Sequence, residues 1–550
     1  MDTTRASTAA TRSEAPDGHQ LIAAGLEAHG ITHVFAIGGT PIHETLAACL
    51  RHGIRIVGVH HQQAAAMMAA SYNYMRGRLS AAVILSAGPA IANSVTGVLV
   101  AHDNDWPLLV IGGGRPLDTR GRGAFQDLDA VSIVGSITRF AARLDRPEEI
   151  VPALDRACRI ATGSRPGPAY LDISEDALNG RATAGALAPS ASPAAPEVDR
   201  AAVARAAALL TQARRPALLV GGALRWSAPF DALAQLVDRL DLPFAASPAA
   251  QGYLPDDHRL CFSTVRARML STADVVLVAG ATLDWTFRFG AEIRKDATLI
   301  VLGVDERGPG GLIPPTTVID GDPGAILSGL VRALGPGPAP ATPSDHWRAE
   351  LAAARAERAR TGEDLERDAR VPMSEHRLIA EVRRFLPCDA IFVIDGNRIL
   401  ETAQQRMPSQ VPVSRLTPGK NGCMGVGLPF GIGAKLAHPD RMVVVVTGDF
   451  AFGLNAMEME TAVRLRVPIL VVVSNNDGNG GGRSERKFYP GHADRVTIFQ
   501  PGIRYEEIVR AFGGHGALVE DPDDLVPALE QAAASGVAAC LNVRVRTHDA

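Results

Sequence analysis

Asp449 closes a run of valines, Val443–Val446, that continues through Thr447 and Gly448. Residues 450–474 separate it from Asn475, and a second apolar run, Ile469–Val473, ends in Ser474, Asn475, Asn476, Asp477 and Gly478. If both runs are neighbouring strands, the first ends on a carboxylate and the second on an amide. Asp449, the Asn476 amide oxygen and a backbone carbonyl near Gly478 would supply half of an octahedron of hard oxygens. Mg²⁺ takes such ligands and completes its shell with phosphate oxygens. Residues 451–466 have helical character, so the N–H groups of Phe450 and Ala451 at the helix start add anion-binding capacity. Either half alone also fits a helix cap or a turn; strand ends on both sides make the pair a candidate metal–phosphate site.

The elements that must position these residues follow from a repeated rhythm. Apolar β-branched runs of four to seven residues, each followed by Gly, Ser, Asn or Asp, alternate with Ala/Leu-rich helical stretches along the whole chain. Such runs suit strands covered on both faces, and the alternation implies parallel sheets built from βαβ units. Two Pro/Ala-rich stretches, 181–197 (RATAGALAPSASPAAPE) and 335–345 (GPGPAPATPSD), read as linkers. The chain is therefore read as α/β, with three doubly wound parallel-sheet domains at 17–180, 198–334 and 346–550, behind a disordered leader at 1–16. In such folds ligands collect at the carboxyl ends of the strands.

Composition excludes several function classes. Of 550 residues, 46% are hydrophobic and 21% charged, as in ordinary globular proteins. Lys plus Arg number 55 against 59 Asp plus Glu, a net charge of −4 that offers no global field for nucleic acid or an anionic membrane. No apolar stretch is long enough to span a bilayer. The six dispersed cysteines form no metal-ligand or disulfide pattern, and the N-terminus lacks a signal peptide's apolar core, so a cytoplasmic location is expected.

The Gly448-Asp449 to Asn475-Asn476 pattern resembles the diphosphate-binding segment of thiamine diphosphate enzymes, which hold that cofactor through Mg²⁺. Upstream, Gly422-Cys423-Met424-Gly425 resembles the segment whose bulky residue bends thiamine into a V. The resemblance makes Met424 that wedge, with its N–H and the Gly422 carbonyl on the aminopyrimidine ring. Three α/β domains in this order resemble the acetolactate synthase-like superfamily: pyrimidine-binding, central, diphosphate-binding. The segments GDFAFGLNAMEMET (448–461), GATLDWTFRFG (280–290), GAFQDLD (123–129) and RAFGGHGALVEDPDDL (510–525) resemble the 2-hydroxyacyl-CoA lyase and oxalyl-CoA decarboxylase branch. The resemblance further implies a homodimer or homotetramer whose active sites lie between the first domain of one subunit and the third of another.

The sequence departs from that pattern at a decisive place. Relatives carry a glutamate after the second strand of the first domain, where it hydrogen-bonds ring nitrogen N1′ and promotes loss of the C2 proton. Here the stretch reads Val59-His60-His61-Gln62-Gln63-Ala64-Ala65, with Gln62 at the glutamate position, or His61 if the register slips by one residue. No Asp or Glu occurs from Thr45 to His102, so no register supplies a carboxylate from this region. A Gln amide donates a hydrogen bond but passes no proton at neutral pH. General acid–base help is worth about 10²–10⁴-fold, so cofactor activation should be slowed accordingly. His60 and His61 are candidate proton relays, since histidine titrates near neutrality. Gln126 and Phe125 occupy the turn where relatives face the thiazolium. Asp395-Gly396-Asn397-Arg398 replaces the usual diphosphate turn, which makes Asn397 a candidate contact. Arg483, Arg486 and Lys487 could meet an anionic substrate.

The expected function is a thiamine diphosphate- and Mg²⁺-dependent C–C bond lyase or ligase acting next to a carbonyl, on a small 2-oxo acid, aldehyde or acyl-CoA. A 2-hydroxyacyl-CoA lyase-like activity is the leading expectation. That branch usually ends in an extension over the CoA chain, and none is expected from the closing segment LNVRVRTHDA (541–550), so an acetolactate synthase-like carboligase or 2-oxo acid decarboxylase is the alternative. A cofactor-binding paralogue without catalysis is the alternative of another class.

Overall fold

Every apolar run of that rhythm forms a parallel strand. The computed structural model describes residues 15–182, 197–303, 310–335, 345–479, 488–492 and 495–546. The first sheet contains β1 (His33–Ala36), β2 (Arg55–Gly58), β3 (Ala81–Leu85), β4 (Leu108–Gly114), β5 (Phe140–Leu144) and β6 (Pro168–Ser174) in the order β2-β1-β3-β4-β6-β5. The second contains β7 (Pro216–Val220), β8 (Phe244–Ala246), β9 (Val275–Ala279), β10 (Thr298–Leu302) and β11 (Thr317–Ile319), ordered β11-β10-β9-β7-β8. The third contains β12 (Ile391–Ile394), β13 (Arg415–Leu416), β14 (Val443–Gly448), β15 (Leu470–Asn475), β16 (His515–Val519) and β17 (Ala539–Arg544), ordered β13-β12-β14-β15-β17-β16. The first and third sheets thus share one strand order. In each sheet the first strand sits between the second and third, so the winding direction reverses beside it, which is where open α/β sheets form a ligand crevice.

The sheet interiors are dry. β3, β7, β9 and β12 are buried at every residue, which is why their sequences are continuous apolar runs without alternation. The linker boundaries carry contacts of their own. Asp17 bridges Arg181 in antiparallel fashion, and Trp347 and Leu351 of the Asp345–Glu366 helix pack into the core of the central sheet.

The first and third sheets share one hydrophobic core. At its centre the Gln62–Arg76 helix, buried from Ala64 to Met75, packs on the Gly427–Ala437 helix. Gly433 makes this approach possible, because a Cβ there would lie 2.1 Å from Ser71 Oγ and 2.5 Å from the Met68 carbonyl oxygen. Gly433→Ala is expected to lower stability even though alanine gains about 0.5–1 kcal/mol in helix propensity. Overpacking against backbone costs about 1–3 kcal/mol, and the net loss should appear as a lower unfolding temperature.

Candidate active site

β14 and β15 pair with Gly448 opposite Ser474, so both strands end at one level and deliver Asp449 and Asn476 to the same crevice. The crevice lies at the reversal between β12 and β14. Its walls include Gly396, Asn397, Arg398, Met424, Asp449 and Asn476. Gly448, Phe450, Ala451, Gly478 and Glu375 also line it.

Asp449 is 2% exposed, and burial pushes its carboxyl up to about 6. Its Oδ1 accepts from the Phe450 N–H at 2.8 Å and its Oδ2 from the Gly478 N–H at 2.9 Å. The Phe450 N–H expected to face an anion is therefore engaged by the neighbouring carboxylate. The two asparagines divide their work. Asn475 turns its amide into the sheet, donating to Asn542 Oδ1 at 2.9 Å and accepting from the Asp477 N–H at 3.0 Å. Asn476 Oδ1 is buried with no hydrogen-bond partner. An orphaned amide oxygen beside a buried carboxylate is costly in an apolar setting and suits a hard cation. Among the described residues, no group of three or more His, Cys, Asp or Glu could hold a metal. A cation here would use the carboxylate, the amide and phosphate oxygens together, which is the usual arrangement for Mg²⁺. The donor set therefore fits the expected Mg²⁺–diphosphate group.

Met424 sits on a loop held from three directions. Asp395, 1% exposed at the end of β12, accepts backbone N–H groups from Gly396 (2.6 Å), Gly425 (3.2 Å) and Gly427 (2.8 Å). Burial nevertheless pushes its carboxyl up to about 6. Asp103 of the first sheet's unit accepts from the Asn421 N–H at 2.5 Å. From the central unit, Trp285 Nε1 donates to the Lys420 carbonyl at 2.8 Å. Gly422, with φ +62, lies on the same loop, though it does not line the crevice.

Asn397 caps the Arg398–Arg406 helix without using its side chain for the cap. Arg398 lies 3.7 Å from Glu375, whose carboxyl is pushed up chiefly by burial. Residues 451–466 are not one helix. Two short ones, Asp449–Asn455 and Glu458–Arg464, meet at a break beside Asn455, whose Nδ2 donates to the Gly425 carbonyl at 2.7 Å.

The first-domain candidates gather elsewhere. Gln62 is the first residue of its helix, and its Oε1 accepts from Asn93 Nδ2 at 3.2 Å. Gln126, with φ +61, presses its carbonyl toward Gly88, where a Cβ would approach within 2.6 Å. Gly88 caps the Pro89–Asp103 helix that carries Asn93, so Gln62 and Gln126 flank the start of one helix. Phe125 beside them is 77% exposed. His60 Nε2 lies 2.8 Å from Glu460 Oε2, and His61 caps its helix by accepting from the Gln63 N–H at 3.1 Å. None of these five residues lines the Asp449 crevice within one chain. Arg483, Arg486 and Lys487 lie outside the described residues.

Sequence reasoning missed Glu375, Asp103, Trp285 and the loop-holding role of Asp395. Only Asp395 carried a signal, as the acid closing an apolar run.

Comparison with known proteins gives the crevice its context. Three family models match in order: "Thiamine pyrophosphate enzyme, N-terminal TPP binding domain" at residues 16–133, the central domain at 203–330, and the C-terminal TPP binding domain at 398–543. The chain is 36% identical over 536 residues to the acetolactate synthase large subunit IlvG of Mycobacterium tuberculosis, covering 95% of each chain. It is 32% identical over 559 residues to a 2-hydroxyacyl-CoA lyase of Oryza sativa subsp. japonica, covering 98% of this chain and 96% of the relative. It is 30% identical over 549 residues to mouse 2-hydroxyacyl-CoA lyase 1, covering 96% and 94%. Both kinds of relative align over nearly the whole chain, so the likeness to the lyase branch is shared with acetolactate synthases. With matches to all three domains in order and relatives at 30–36% identity over nearly the whole chain, the chain belongs to the thiamine pyrophosphate enzymes, in the group of acetolactate synthases and 2-hydroxyacyl-CoA lyases.

Proposed function

We propose that the protein is a Mg²⁺- and thiamine diphosphate-dependent enzyme that makes or breaks a C–C bond next to a carbonyl, with 2-hydroxyacyl-CoA lyase-like chemistry. The observation that carries this is the buried, unpartnered Asn476 Oδ1 beside Asp449, under the loop that presents Met424. Asp449 and Asn476 would hold the cation, Gly478 would orient the Asp449 carboxylate, and Asn397 would contact the diphosphate. When bound, the cofactor would supply a carbon nucleophile and an electron sink for the bond broken next to the carbonyl.

Gln62 would act as a hydrogen-bond donor to the aminopyrimidine. Asn93 occupies the Gln62 amide oxygen, which leaves the Gln62 NH₂ as the group to be offered. Phe125 and Gln126 would form the substrate wall. Among the described residues, those of the third sheet's unit alone line the crevice, and Gln62 is not among them. We therefore infer a homodimer or homotetramer in which a second copy brings Gln62 to the cofactor. Six free cysteines, four of them buried, suit the cytoplasm, and no helix among the described residues is long and apolar enough to cross a membrane.

A second reading, acetolactate synthase-like carboligation of 2-oxo acids, is favoured by the 36% identity to that relative. Supplying 2-hydroxyacyl-CoA and pyruvate-type 2-oxo acids separately distinguishes the two. Lyase-like chemistry breaks the bond between the carbonyl and hydroxyl carbons of the CoA ester and gives an aldehyde and formyl-CoA. Loss of CO₂ from the oxo acid with no turnover of the ester would favour the second reading.

A further inference from the structure

The turn that presents Gln62 is held by the third sheet's unit, through a carboxylate that does not line the Asp449 crevice. Glu458 is fully buried, and its Oε1 accepts the backbone N–H groups of both His60 and His61, each at 3.0 Å. Its Oε2 accepts from Thr461 Oγ1 at 2.7 Å. Around this contact, Glu460 pairs with the His60 imidazole at 2.8 Å, and Arg464 donates to the Gly58 carbonyl at 2.8 Å while binding Glu460. One short helix, Glu458–Arg464, thus grips the turn from Gly58 to His61 at four points, and Gln62 is the next residue.

We propose that Glu458 is a positioning residue for catalysis: it fixes the backbone entry into the Gln62–Arg76 helix and thereby the reach of the Gln62 amide toward the cofactor. The proposal rests on the assignment of Gln62 to N1′. The physical reason is lever length. Gln62 has lost the charge of a carboxylate, and a neutral amide relies on geometry to make its single hydrogen bond count. Its side chain has three rotatable bonds. Asn93 restrains the far end at Oε1, and Glu458 restrains the near end by two backbone bonds. Glu458 itself is fully buried, and truncating it removes the shared acceptor of both N–H groups.

The test is a double-mutant cycle on the holoenzyme with Gln62→Ala, Glu458→Ala and both together. The readout is the C2 hydrogen–deuterium exchange rate of bound thiamine diphosphate, with cofactor affinity and unfolding temperature measured beside it. Expected are an approximately tenfold slower exchange in Glu458→Ala, cofactor affinity within about threefold of wild type, and a double variant no slower than Gln62→Ala, as for residues acting as one unit. Glu458→Gln retains an oxygen for both N–H groups and should restore exchange to within about threefold of wild type. That rescue also reads the proposal if the alanine variant does not fold, because a slow Glu458→Gln enzyme with native stability would overturn it. Unchanged exchange in folded Glu458→Ala, or a double variant slowed by the product of the two single effects, would also overturn it. If Gln62→Ala slows exchange and Glu458→Ala does not, only the role of Glu458 fails. If Gln62→Ala leaves exchange unchanged, the Gln62 assignment fails, and the role of Glu458 with it.

Discussion

Gln62→Glu is expected to accelerate C2 exchange of bound thiamine diphosphate by about 10²–10⁴-fold, the range of general acid–base assistance. The substitution is nearly isosteric, and position 62 is half-buried at a helix start, so the fold tolerates it. An anion in the first helical turn is also favoured by the helix dipole. Asn93 Nδ2 already donates to position 62 at 3.2 Å and would donate equally well to a carboxylate. The restored acid can share a proton with N1′, whereas the amide only donates. Exchange measured by NMR after acid quench reads this step without any substrate. An unchanged rate would mean that position 62 does not face the aminopyrimidine. Faster exchange need not mean faster turnover, because a group that protonates N1′ also makes protons available to later steps.

Asp449→Ala should abolish retention of thiamine diphosphate and Mg²⁺, with a loss of at least about 10³-fold in affinity, on the order of 4 kcal/mol. Three effects converge. The only carboxylate among the candidate cation ligands disappears. The N–H groups of Phe450 and Gly478 lose their acceptor. Asn476 Oδ1 then has no cation to share. Asp449→Asn keeps the shape and one acceptor oxygen, so it separates charge from architecture. It should fold with near-native stability and still bind cofactor weakly. Equilibrium dialysis with and without a chelator checks both variants against wild type. Wild-type binding that ignores the chelator would remove the cation from the account.

How much was legible in the sequence depended on how far each signal reached along the chain. The sheets were legible because strands buried on both faces must be apolar throughout. Asp449 and Asn476 were legible for a related reason: a polar residue stands out where an apolar run stops, and two such stops on neighbouring strands must meet. At Phe450 the carboxylate beside it claims the N–H, a competition that spacing does not display. The 451–466 segment contains good helix formers, so nothing local announced the break at Asn455. The Asn455 side chain beside the break donates to Gly425, thirty residues away in sequence. Glu458 was quoted within a resembling segment, yet its contact with His60 spans 398 positions. Asp103 and Trp285 reach the Met424 loop across gaps of 318 and 135 positions. Contacts of this kind are set by how the three units dock, and single-sequence periodicity carries no record of that.

The central claim is that this chain uses bound thiamine diphosphate for chemistry at a carbonyl, with Gln62 acting in the place expected for a glutamate. Acid-quench mass analysis of the cofactor tests it most directly. Purified protein loaded with thiamine diphosphate and Mg²⁺ would be mixed with a pool of 2-oxo acids and, separately, with 2-hydroxyacyl-CoA esters, then quenched. A donor-derived mass increment on the cofactor in the wild-type protein, absent from Asp449→Ala, is the result the account predicts. If no donor modifies the wild-type cofactor while Gln62→Glu forms adducts from the same pools, the account of an active Gln62 enzyme is contradicted.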